Sequence, residues 1–130
     1  MIVSTIANVA VPGLAGTWAD EDVLHCVGTF GTNTACSWSV YFDGADAGVA
    51  LADGSEDVDG VSVGTGKLYL STIGAYSVAG LSNTDINAGG DVFSCDTPIT
   101  GDVTSCGSFS LYFRASDHGL AGNLDAISVP

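Results

Sequence analysis

The sequence predicts an all-β fold, an internally duplicated antiparallel β-sandwich or barrel of about eight strands. Three observations carry this. Five blocks of the chain recur in the same order at an offset of 66 to 71 residues, and an internal repeat is the first thing to read in any chain. Apolar residues come in short runs, many of them alternating, separated by Gly, Asp and Asn, and no helical period is sustained over three turns. Charged residues are only 13% of the chain while Gly numbers 18, the composition of a turn-rich β protein.

The elements follow in order. Ile2–Thr5 is the first strand, and its Ser4-Thr5-Ile6 recurs as Ser71-Thr72-Ile73. The block Val11-Pro12-Gly13-Leu14 recurs as Val78-Ala79-Gly80-Leu81. The second strand, Asp22-Val23-Leu24-His25-Cys26, recurs as Asp91-Val92-Phe93-Ser94-Cys95. The third, ending Trp38-Ser39-Val40-Tyr41-Phe42, recurs as Phe109-Ser110-Leu111-Tyr112-Phe113. The fourth, Asp59–Val63, recurs as Asp125–Val129. Trp38, Phe42, Phe109 and Phe113 therefore fall at equivalent strand positions, where packing is the ordinary role of an aromatic.

Residues 1–130 read as one pseudo-twofold domain, with repeat one at 1–66 and repeat two at 67–130. The boundary cuts a hairpin. Val58–Val63 and Lys67–Thr72 flank Gly64-Thr65-Gly66, two β runs about a short glycine loop. The first strand and the last are each left without a hairpin mate, and bare edges invite pairing. Either the two ends close the fold within the chain, or they pair between chains into a filament, coat or ring.

Cys26 and Cys36, and Cys95 and Cys106, sit at matching places in the two repeats, each pair bridging neighbouring strands. Antiparallel neighbours bring such residues within disulfide reach, so Cys26–Cys36 and Cys95–Cys106 are the expected bridges. Two bridges imply an oxidising compartment. The rival is zinc, but the spacing is unlike C-x-x-C, and only His25 and His118 could assist.

Fifteen carboxylates against Lys67 and Arg114 leave a net charge of −13. That excludes nucleic acid and anionic membrane surfaces as partners. No apolar run reaches the roughly 18 residues of a membrane span. The N-terminus lacks the basic and apolar regions of a signal peptide, so a secreted form would be processed or part of something longer. Compaction sets the carboxylates against one another, and bound cations would offset this. Asp53-Gly54-Ser55-Glu56-Asp57-Val58-Asp59-Gly60 places side-chain oxygens at alternating turn positions, as a Ca²⁺ loop does. The EF-hand's later bidentate Glu and flanking helices are missing. Asp53, Glu56, Asp57 and Asp59 are the candidate ligands, with Asp20 and Asp22 of Asp20-Glu21-Asp22 beside them. Asp and Gly also simply favour solvated turns.

No nucleophile, phosphate-loop or zinc-protease motif occurs, and adjacent Asp117 and His118 point apart in a turn, so an enzyme is not expected. Trp18 lies in the Gly16–Asp20 loop with no counterpart in repeat two. It packs on its own domain, stacks on a sugar or anchors a second subunit.

The strings DEDV (20–23), EDVDG (56–60), GKLYLST (66–72) and LYF (111–113) resemble modules repeated in tandem in large secreted or surface proteins of environmental bacteria. The resemblance implies extracellular location and tandem use, not an activity. The central hairpin also resembles a strand pair of a β-propeller blade, and two blades need further chains to close a ring. The expected function is thus a calcium-stabilised, self-assembling extracellular structural or adhesive module. A carbohydrate-binding module, as a multi-chain propeller lectin, is the alternative.

Overall fold

A computed structural model describes residues 1–51 and 54–130. Its described strands are β1 (Ile2–Ser4), β2 (Val23–Thr29), β3 (Ala35–Phe42), β4 (Val58–Gly64), β5 (Lys67–Thr72), β6 (Tyr76–Val78), β7 (Leu81–Asn83), β8 (Val92–Asp96) and β9 (Ser108–Phe113). Two short 3₁₀ turns, Ala88–Gly90 and Ala115–His118, are the described helical pieces. The strands form three antiparallel sheets: β1-β2-β3, β4-β5-β8-β9 and the hairpin β6-β7. The chain is all-β, as its alternation and turn residues dictate. The described sheets are open, so neither the barrel nor a propeller ring is closed.

The register repeats with the sequence. Cys26 faces Trp38 on β2–β3, and Cys95 faces Phe109 on β8–β9. His25 faces Ser39, and Ser94 faces Ser110. The ladder slips between Val23 and Leu24 in the first sheet and between the equivalent Val92 and Phe93 in the second. Such bulges sit at defined places in a sheet, and this one recurs. Both predicted disulfides form, each with a Cα–Cα distance of 5.2 Å.

The hairpin across the repeat boundary forms through Thr65-Gly66, where Gly66 has φ +69, a conformation that only glycine adopts without strain. It gives the second sheet its fourth strand. Asp125–Val129, the counterpart of that strand, belongs to no ladder. Instead the segment lies against β4 and β5: the Ser71 hydroxyl donates to the Leu124 carbonyl at 3.2 Å, and the Val129 N–H donates to Ser62 Oγ at 3.1 Å. Its side chains are exposed or half-buried, and its backbone finds no partner edge at ladder distance. That is why a strand-like sequence is not a strand here.

The core gathers Leu68, Leu70, Phe93, Cys95 and Phe109 of the second sheet with Val23 and Phe42 of the first and with Val49, Leu51 and Val58. Tyr76 stacks on Phe93 at 4.6 Å, and Phe93 meets Phe109 edge-on at 6.2 Å. Ile2 and Tyr41 pack against this cluster from the first sheet. Of the four aromatics expected inside, Phe42 and Phe109 are buried, while Trp38 and Phe113 are half-buried.

Candidate functional site

Three acidic loops meet at one end of β2. Asp22 precedes the strand and is 5% exposed. Its Oδ2 accepts the Ala19 N–H at 2.8 Å and its Oδ1 accepts the Gly44 N–H at 3.0 Å. Gly44 must be glycine, because a Cβ there would lie 2.5 Å from the Glu21 carbonyl oxygen. The Asp20 carbonyl accepts the Val58 N–H at 3.0 Å, tying the 19–22 loop to the start of β4. Asp20 and Asp57 are thereby neighbours.

The electrostatics follow from that crowding. Burial, then the Asp20 charge beside it, holds the Asp57 carboxyl above the ordinary aspartate range. Burial also raises Asp22, against two backbone N–H bonds that pull it down, with Asp20 and Asp46 adding repulsion. Asp43 is raised by burial and by Asp22 and Asp46, and Glu21 by burial and its acidic neighbours. The described residues' ion pair lies elsewhere: Lys67 Nζ meets Asp96 Oδ1 at 2.7 Å, a partly exposed contact that also lowers the Asp96 carboxyl.

Of the expected cation ligands, the fold brings Asp20, Asp22 and Asp57 into this belt, with Asp59 at its margin. Glu56 turns away: its Oε1 accepts the Ser77 N–H at 2.6 Å. Asp59 accepts a hydrogen bond from the Asn123 amide. Asp53 lies outside the described residues. Among the described residues, no three of His, Cys, Asp and Glu close on a common point as metal ligands. The arrangement is a carboxylate belt much of whose acceptor capacity goes to backbone N–H groups.

The second half uses the equivalent carboxylate in the same way. Asp91, 1% exposed, accepts the Ala115 N–H at 2.9 Å, as Asp22 accepts Gly44. It also accepts from Asn83 Nδ2 at 2.7 Å and from the Tyr76 hydroxyl at 3.3 Å. Burial and that carboxylate raise the Tyr76 hydroxyl well above the usual tyrosine range. The sequence carries this Asp into repeat two but does not place Asn83, Tyr76 and Ala115 around it. The signal was the Asp one residue before each duplicated strand.

The remaining candidates sit apart from the belt. Trp18 is half-buried and bridges Val9 through a pair of 2.8 Å backbone bonds, with its indole N–H enclosed and, among the described residues, without an acceptor. Tyr76, a second aromatic that a sugar platform would expose, is 1% exposed. His25 meets Tyr41 edge-on at 6.0 Å, and His118 lies flat on Phe113 at 5.0 Å. No ligand-sized pocket forms among the described residues.

The other notable surface is the outer edge of β1. Met1 and Cys26 exchange backbone hydrogen bonds, each 2.8 Å. Ile2 and Ser4, one step out of phase, therefore turn their N–H and C=O groups away from β2. Among the described residues these groups have no backbone partner. Compared with known protein families, curated proteins and solved structures, the chain finds no match.

Proposed function

We propose that the chain is a non-enzymatic extracellular structural or adhesive β module that self-assembles into a filament, coat or ring and is steadied by calcium. One observation carries the assembly reading. The second sheet takes its first strand, β4, from the preceding repeat, and the first sheet has the same three strands without that fourth. A unit built this way is complete only when a neighbour supplies the missing strand. Two disulfides suit an oxidising compartment. Among the described residues no helix is long and apolar enough to cross a membrane. The acidic belt, whose carboxyls are held above the ordinary range by burial and then by one another's charge, supports the calcium part.

Thermal melting with calcium and with EDTA, followed by sedimentation of each sample, tests both halves. A higher melting temperature in calcium and a species larger than the monomer are expected. Identical melts remove the calcium reading. A monomer at every concentration removes the assembly reading.

A further inference from the structure

We propose that the 124–129 segment of one copy and β1 of a second copy pair as an intermolecular antiparallel hairpin, in the register that β4 and β5 make within the chain. This rests on the assembly reading above and names its interface.

Within the chain Gly60 faces Ser71, Val61 faces Leu70, Ser62 faces Tyr69 and Val63 faces Leu68. The tail repeats β4 at an offset of 66, and β1 precedes β5 by an offset of 67. The pairs carried over are Ala126 with Ser4, Ile127 with Val3, Ser128 with Ile2 and Val129 with Met1. They meet the edge where the Ile2 and Ser4 backbone groups lack a backbone partner.

A second observation says why the partner is another copy. Ser4 Oγ donates to the Asp59 carbonyl at 3.4 Å, at the start of β4. The equivalent Ser71 Oγ donates to the Leu124 carbonyl at 3.2 Å, at the start of the tail. The tail thus lies on the second sheet near the place that β4 takes on the first, its acceptor carbonyl one residue earlier in the repeat. It occupies the place of the first strand of a third sheet, one unit beyond its own β1. Gly60 makes the seat: Ile127 carbons lie 3.3 Å from where a Cβ on Gly60 would be. Charge permits the contact too. Residues 1–19 and 126–130 hold no charged side chain in a chain of net charge −13. Apart from Asp125 at the head of the segment and Asp59 beside Ser4, the paired residues bring no like-charged side chains together. Every copy offers one such tail and one such edge, so the contact is head-to-tail and propagates.

The test mixes two single-cysteine variants, Ser4→Cys and Ala126→Cys, under mild oxidation, with native bridges verified by peptide mapping. Only contact between copies can join them. The expected result is a mixed disulfide at least about tenfold above that from Ser4→Cys with Ile127→Cys, whose side chain faces the other side of the strand. In parallel, hydrogen exchange on the unaltered chain reports the edge without any variant: the Ile2 and Ser4 amides should become protected as concentration rises. An assembled chain with neither selective crosslinking nor protection overturns this pairing and leaves self-association standing. A chain that stays monomeric overturns both.

Discussion

Ser4 and Ser71 occupy the same place in the two halves, and each hydroxyl donates to a carbonyl near the start of its own repeat's last segment, at 3.4 Å to Asp59 and 3.2 Å to Leu124. The Ser71 contact, with the Leu124 N–H on the Gly89 carbonyl and the Val129 N–H on Ser62 Oγ, each 3.1 Å, holds the tail in place. Ser71 is fully buried, so its hydroxyl has no water to turn to. Ser71→Ala should lower stability by about 1 kcal/mol and speed amide exchange across residues 124–129. Unchanged exchange there would mean that the tail is held by something else.

Asp91 joins three elements through Ala115, Asn83 and Tyr76. Asp91→Ala strands a buried N–H, an amide and a phenol together, and should cost about 2–4 kcal/mol in urea unfolding. The fold's weight on Asp91 is wrongly placed if the loss stays below about 1 kcal/mol.

Each disulfide closes a short loop between paired strands. Replacing either pair by serines should lower stability by about 2–3 kcal/mol in the chain-entropy description. Equilibrium unfolding of the two double variants checks this.

The acidic belt sets a pH dependence of definite sign. Asp22, Asp43, Asp57 and Glu21 have folded-state proton affinities raised above their ordinary values. The folded chain then binds more protons than the unfolded chain just above the ordinary carboxylate range, so stability falls as pH rises through that window. Melting temperature should therefore increase from neutral pH down to about pH 5 and decline only well below, where Asp96, lowered by Lys67, loses its charge. Calcium bound at the belt would flatten the rise. A melting temperature that falls steadily from pH 7 to 5 contradicts the reading.

Much of this was legible in the chain. The cysteine pairing, seven of the nine described strands and the hairpin at Gly66 follow from duplicated blocks and turn chemistry. The tail misled because alternation at Ile127 and Val129 specifies a willing strand, while a ladder needs a second edge that sequence alone does not place. The β6-β7 hairpin shows in the sequence only as a recurring block at Val78–Leu81, since three-residue strands give too short a pattern. At the belt, the Asp-rich loops of the sequence do come together, as the Asp20 carbonyl on the Val58 N–H shows. Sequence spacing could not show that Asp22 would spend both oxygens on backbone N–H groups, or that Glu56 would turn to Ser77, because those partners are distant in the chain.

The most direct measurement is sedimentation velocity of the intact chain beside one ending at Asn123, each over a wide concentration range. The intact chain should grow beyond the monomer with concentration while the shortened chain, still folded by circular dichroism, stays monomeric. Equal behaviour of the two, whether both assemble or neither does, contradicts a head-to-tail contact made through the tail.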